Sequence, residues 1–310
     1  MTALAEPGGG VGLSPRVFVR RIFAGQTGPV LVVVAAIILV WYLGAAFLNA
    51  PQQMEADGRA GVERSLTGFL AATYSQERPV LPAPHQVAAE IWKTTFAMKP
   101  TSKRSLVYHG WVTLSSTLMG FAIGTLLGVL LAVGIVYSRT LDKSLMPWII
   151  ASQTIPILAI APMIVVVLGA INVAPVFAKG TVSAYLAFFP VAVGMVKGLR
   201  SPDPMLLDLM RTYSAGPWQT LVKLRLPAAM PFLFASLKVA IAISLVGAIV
   251  GELPTGARAG LGARLLAGSY YGQTVQIWSA LLVAAFMAAI LVTLVGIADR
   301  IVLRRMGMAR

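Results

Sequence analysis

Apolar residues in this chain neither alternate nor recur on a single helical face; they run together in blocks about as long as a bilayer is thick. A hydrocarbon core of roughly 30 Å asks for about 20 consecutive apolar residues in a helix. Residues 29–49, PVLVVVAAIILVWYLGAAFLN, meet that length without a charge. At roughly −0.3 to −0.6 kcal/mol for each Val, Ile, Leu and Phe, insertion of this block is favoured by about 4 to 7 kcal/mol. It is longer than the core of a secretory leader, and no small-residue cleavage site follows closely, so it is expected to stay as an anchor. Five further blocks, about 106–137, 145–171, 180–198, 228–251 and 276–302, complete a prediction of six spans. The expected fold is an all-α membrane protein of about six transmembrane helices, with both termini on one side.

The polar intervals organise the chain around these blocks. A tail over 1–28 precedes the first helix at 29–49, a mixed-charge external segment covers 50–104, a membrane core covers 105–302 with a polar loop at 199–227, and a basic tail closes the chain at 303–310. With the N-terminus in the cytoplasm, RVFVRR, RTLDK, the 199–227 loop and RRMGMAR all fall inside, as the positive-inside rule requires. Within 50–104, HQVAAEIWKTTF predicts a short amphipathic helix at the outer interface with Val87, Ile91 and Trp92 together, its start set by LPAP.

Composition agrees with the pattern: 57% of residues are hydrophobic and 12% charged, and the mean hydropathy is +0.80, which places the chain among polytopic membrane proteins. The formal charge of +14 sits in short clusters between apolar runs and not on one soluble face, so nucleic acid is not an expected partner. With no cysteine, disulfides, thiol catalysis and zinc ribbons are excluded. G-x-x-x-x-G-K-[ST], HExxH and GxSxG are absent; GARAGLGAR at 256–264 lacks the lysine of a phosphate loop and reads as turn chemistry. Of the two histidines, His85 reads as a surface residue after a turn and His109 as an interfacial one.

Chemistry at bilayer depth is sparse. Pro156 and Pro162 in SQTIPILAIAPM remove backbone donors and predict a kink or break. Lys238 lies roughly 16 Å along its helix from Pro227 and reads either as a positive lining for an anionic solute or as a snorkelling or internally paired lysine. Glu252, at the outer end of the same helix, is placed to pair or to help close an outer gate. Ser152, Gln153, Thr154, Pro156 and Ser244 complete the candidates for lining a path, although small polar residues also join helices by packing.

The loop holding DLMRTYSAGPWQTLVKLRLP, 208–227, carries the most information. Asp203 and Pro204 form a helix start. Leu206, Leu209, Met210 and Tyr213 follow at one-face spacing. SAG at 214–216 breaks the helix, and Pro217 begins a second in which Trp218, Leu221 and Val222 face together; Pro227 is expected to close it. A helix pair with an apolar stripe and the basic residues Arg211, Lys223 and Arg225 is either a docking knob or a loop resting on its own membrane domain.

This loop resembles the cytoplasmic coupling loop of binding-protein-dependent ABC importer permeases, E-A-A, three residues, G, nine residues, I, one residue, L-P. Anchored on Leu226 and Pro227, the pattern places Leu224 at the isoleucine, Ser214 at the glycine, and Asp208, Leu209 and Met210 at E-A-A. Asp208 keeps the charge; Ser214 does not keep the glycine, and Gly216 is expected to take over its left-handed role. VLPAPHQVAAEIW and VGAIVGELPTGARAGLGARL resemble the LPSPxxV and VVAE…GLG segments of the nitrate, sulfonate and taurine branch. The resemblance, which runs from about residue 80 to the C-terminus, implies a type I importer fold whose last five spans form the transport core, in a multi-pass protein of the bacterial inner membrane with both termini cytoplasmic. It also implies as partners a cytoplasmic ABC ATPase dimer that uses ATP and Mg, a periplasmic or lipid-anchored solute-binding protein, a second copy of the chain and membrane lipid. The chain itself would bind no cofactor and catalyse nothing. The implied solute is small, polar and anionic, of a sulfonate, nitrate, taurine or pyrimidine-precursor kind. Competing readings are an ion-coupled secondary carrier, which calls for paired carboxylates at bilayer depth, and a membrane-embedded enzyme, which calls for a nucleophile with a base or a metal cluster.

Overall fold

The computed structural model of the chain describes residues 27–253 and 259–308. The RVFVRR cluster, residues 254–258 of the glycine-rich turn and the last two residues of the basic tail lie outside the described residues. Every regular element among the described residues is a helix. They fall into two compact units, one ending at Gln86 and one beginning at Val87.

The first unit holds α1 (Thr27–Ala60), α2 (Leu66–Tyr74) and the first residues of α3 (Pro84–Thr95). α1 runs past its predicted end at 49 and carries Pro51 inside. Tertiary contacts account for the extension: Asn49 donates from Nδ2 to the Leu81 carbonyl at 2.8 Å and accepts from the Leu81 N–H at 3.0 Å, and Gln53 accepts from Gln76 at 3.1 Å. His85 is at the surface, as expected, with its ring stacked on Tyr42 at 5.9 Å.

The second unit continues α3 and adds α4 (Leu106–Tyr137), α5 (Arg139–Ser152), α6 (Ile157–Ala170), α7 (Pro175–Leu199), α8 (Pro204–Thr212), α9 (Pro217–Thr220), a π-turn (Leu221–Arg225), α10 (Leu226–Glu252), α11 (Leu261–Tyr270) and α12 (Thr274–Arg305). Among the described residues of the whole chain, five helices are long and apolar enough to cross a membrane, and the bent pair α5 and α6 makes six.

The break expected near Pro156 divides the 145–171 block, since α5 and α6 meet at 99°. The Ser152 and Thr154 hydroxyls bond back to the carbonyls of Ile149 and Ala151 at 2.7 and 2.8 Å, ending α5, and Pro156 takes the N-cap position of α6. Pro162, by contrast, is carried inside α6. Two other expectations need correction. In α3, Val87 is buried and Ile91 half-buried, but Trp92 is 65% exposed; successive residues point about 100° apart, so 91 and 92 cannot share a face. Finally, Pro227 does not close the second loop helix. A continuous helical run from Pro217 to Glu252 passes through it. The π-turn makes this possible, since the Leu226 N–H bonds five residues back to Leu221 and the wider turn accommodates the ring where an α-turn would clash.

The centre of this unit is the trio α4, α7 and α10, packed so closely that backbones touch. A Cβ at Gly124 would sit 2.7 Å from that of Ala187, one at Gly128 2.8 Å from that of Val191, and one at Gly247 2.7 Å from the Ser183 Cα. Close approach of this kind replaces the hydrophobic drive that lipid removes. Ser183 adds a hydrogen bond to the Ser244 carbonyl at 2.5 Å. One apolar cluster, around Ile135, Met195, Leu199 and Ala229, fills the loop end. Another, around Leu106, Leu261, Ala280 and Ala284, fills the opposite end.

Candidate functional site

The polar loop begins as its residues predict. Asp203 caps α8 by accepting from the Met205 N–H at 2.8 Å, with Pro204 in the first turn. α8 ends at Thr212, and the reversal is made by Ser214, which adopts φ = 50°. Gly216 does not take over the left-handed position: it is extended, at φ = −67°, and caps α9. Its N–H donates to Gln219 at 3.1 Å, leaving Ser214 itself as the left-handed residue.

No residue of α8 is buried. Met205, Leu206, Leu209, Tyr213 and Trp218 are all exposed, Tyr213 at 76% and Trp218 at 73%. The stripe therefore does not rest on the chain's own membrane domain. Asp208 pairs with Arg211 at 2.9 Å, both side chains exposed. The loop's root, in contrast, is tied down. Arg225 donates to the Leu199 carbonyl at the end of α7 at 2.7 Å and lies over the Tyr137 ring at 5.8 Å, while Tyr137 donates to the Pro217 carbonyl at 3.0 Å. Leu224, Leu226 and Pro227 are half-buried beside this root.

At the opposite end lies a buried polar cluster. α11 opens on Gly260, which has no side chain to cap it, and its first three amides are taken by other elements. The N–H groups of Gly260, Leu261 and Gly262 donate in turn to His109 Nδ1 at 3.0 Å, Thr113 Oγ1 at 2.8 Å and Glu252 Oε2 at 3.0 Å. Because His109 Nδ1 accepts an N–H, the ring proton lies on Nε2, which donates to the Lys103 carbonyl at 2.9 Å. The Thr113 hydroxyl in turn donates a hydrogen bond to Glu252 Oε2 at 2.8 Å. Glu252 is wholly buried, and its Oε1 faces the buried Lys179 ammonium at 3.6 Å; Lys179 also donates to the Ala259 carbonyl at 2.9 Å. A carboxylate at a helix N-terminus is stabilised by the helix dipole as well as by the lysine. Side chains are excluded at two of the three amides: a Cβ at Gly260 would collide with the Glu252 carboxyl, and one at Gly262 would lie 2.8 Å from the Glu252 Cβ. Beside the cluster, Arg264 donates to the Arg104 carbonyl at 2.9 Å and faces Glu90 at 3.5 Å. Burial pulls its pKa below the ordinary value, and the Glu90 charge opposes that shift.

The residues expected to line a path are not brought together. Ser152, Gln153, Thr154 and Pro156 share the break between α5 and α6, where Tyr185 donates to the Ser152 carbonyl. Lys238 is internally paired, with its ammonium 2.6 Å from Asp299 of α12. Ser244 and Glu252 are each 0% exposed, Ser244 between α7 and α10 and Glu252 in the cap of α11, so neither presents a polar atom to a surface here.

Residues 124–308 match the binding-protein-dependent transport system inner membrane component family. The chain belongs to this family of ABC importer permeases. Over 223 residues the permease is 31% identical to a probable ABC transporter permease protein of Haemophilus influenzae, covering 72% of this chain and 86% of that one. It is 32% identical over 225 residues, 73% and 80% of the two chains, to the riboflavin transport system permease RibX of Chloroflexus aurantiacus. To the formylaminopyrimidine transport permease ThiX of Halalkalibacterium halodurans it is 32% identical over 154 residues, 50% and 60%. Among solved structures it is similar to a chain of the inward-facing MetNI methionine ABC transporter, with a TM-score of 0.52 at 24% identity, covering 65% and 96%. The permease thus has the type I importer fold.

Reading the residues alone missed His109, Thr113 and Lys179 as partners of Glu252, and Tyr137 as a support of the loop. Lys179 sits one residue before the apolar block expected to begin at 180, outside every expected span. Thr113 is one of several hydroxyl residues in WVTLSST, and nothing in that run marks it. The usable signal was glycine: GLG after an unpaired Glu252 at a helix end implies amides that need a carboxylate.

Proposed function

We propose that this permease is the spanning subunit of an ATP-driven importer that moves a small polar solute across the bacterial inner membrane, with both termini in the cytoplasm. The observation that carries this reading is the exposed apolar face of Pro204–Thr212 and Trp218. A cluster of Leu, Met, Tyr and Trp rimmed by charge is an interaction surface, and the proposed occupant is a groove on a cytoplasmic ABC ATPase that binds ATP and Mg. Asp208, Leu209, Met210, Arg211, Tyr213 and Trp218 would make the contact, with Ser214 and Gly216 shaping the reversal and Leu224, Leu226 and Pro227 rooting it.

Two copies of the permease would face an ATPase dimer. When ATP closes the ATPase subunits, each docked loop is carried with its own, and the motion passes into the membrane because Trp218 and Glu252 belong to one continuous helical run of about 50 Å. An external binding protein, periplasmic or lipid-anchored, would deliver the solute. A small anion of the sulfonate, nitrate or taurine kind and a pyrimidine-precursor-like solute are the two classes proposed; the names of the riboflavin and formylaminopyrimidine relatives favour the second.

The test is affinity purification of the tagged permease from its native membrane with an ATPase assay on the eluate. An ATPase should co-purify and be lost when residues 208–222 are scrambled. Tyr213→Glu with Trp218→Glu should reduce its recovery at least about tenfold while the permease melts unchanged. A folded permease that arrives alone and still supports uptake would sink the docking role and favour an ion-coupled carrier. Any binding protein recovered is then screened against both solute classes by thermal shift.

A further inference from the structure

We infer that α3 and the basic turn after it form a docking surface for anionic phospholipid headgroups. Trp92 of α3 and Phe96, the residue just past its end, lie one helical turn apart, 65% and 68% exposed, with ring centroids 4.7 Å apart. The other face of α3 fixes its level in the protein. Ile91 packs on the cluster of Leu106 and Leu261, and Glu90 reaches Arg264. α3 is therefore level with Leu106, where the apolar span α4 begins. Trp111, also 65% exposed, lies about 7 Å further along α4, and below it Leu118, Leu126 and Leu130 continue an exposed apolar face.

Aromatic rings at the boundary of a span sit at headgroup depth, with the ring in the acyl margin and its polar edge toward water. The charge beside them selects among headgroups. Lys93, Lys99, Lys103 and Arg104 are exposed, none takes part in an ion pair among the described residues, and the sequence has no acidic residue between Glu90 and Asp142. Uncompensated lysines beside membrane-embedded aromatics attract anionic lipid. Continuity with the lipid-facing side of α4 favours a lipid occupant over a soluble protein or a second copy.

The absence of cysteine gives the experiment a clean background. Phe96→Cys in the full-length permease, labelled with bimane and reconstituted in phosphatidylcholine vesicles containing phosphatidylglycerol, should be quenched by brominated acyl chains and shielded from aqueous iodide. Brominated phosphatidylglycerol should quench more strongly than brominated phosphatidylcholine at equal mole fraction. Changing Lys93, Lys99 and Lys103 to Gln should remove most of that preference. Ready quenching by iodide without lipid quenching would mean a face open to water or to a soluble partner, and protection from both quenchers a face covered by a second copy. Either result overturns the proposal, as does equal quenching by the two lipids or a preference that survives loss of the three lysines.

Discussion

α8 and α11 are both short helices at the ends of the membrane unit, and they are held in opposite ways. α8 is capped from within, by Asp203 two residues before Met205, and turns its side chains outward. α11 begins on a glycine and surrenders its first three amides to His109, Thr113 and Glu252, which belong to α4 and α10. The local solution leaves a helix whose apolar face is free for another protein. The distant one welds the starts of α4, α7 and α11 to the end of α10 through a buried charge pair.

The comparison breaks most readily at Glu252. Glu252→Ala leaves Lys179 buried without its countercharge and should lower the unfolding free energy by about 3–5 kcal/mol, read by chemical denaturation in detergent micelles. Lys179→Met combined with Glu252→Leu should recover part of that loss, because no uncompensated charge remains. Equal losses in the single and double variants would mean that the helix cap, and not the ion pair, carries the end. The more exposed pair between Lys238 and Asp299 should matter less: Asp299→Asn is expected to cost about 1.5–3 kcal/mol, with most of it restored by the exchange of Lys238→Asp and Asp299→Lys. A failed exchange would show that the pair depends on its surroundings more than on its charges. The smallest effect belongs to the loop. Ser214→Gly relieves a left-handed non-glycine residue and should stabilise the reversal by a few tenths to about 1 kcal/mol. The Ala215 amide, which donates to the Met210 carbonyl at 2.9 Å, should then exchange up to about fivefold more slowly, with no change in the cluster around Glu252.

What could be read from the residues follows the same division. Asp203 and Pro204 announce α8 because a cap and its helix are neighbours in sequence, and the spans announce themselves by apolar length. The cap of α11 was hidden because its parts are far apart: Thr113 is 139 residues from Glu252, and His109 is 151 from Gly260. No periodicity joins such positions, and a lone threonine in an apolar helix has the same look whether it is idle or essential. Pro227 misled for a different reason. Its residue type argues for a stop, and only the wider turn before it shows how the helix continues.

That wider turn is, in effect, one residue too many for a regular helix. Each residue of an α-helix turns the chain by about 100°, so a lineage that lost a single residue between Leu221 and Arg225 would keep α10 in place and swing everything before it, Trp218 first, to another quarter of the compass. Substitutions there would be tolerated far better than a change in length, and the bearing of the knob would be inherited as a count of residues.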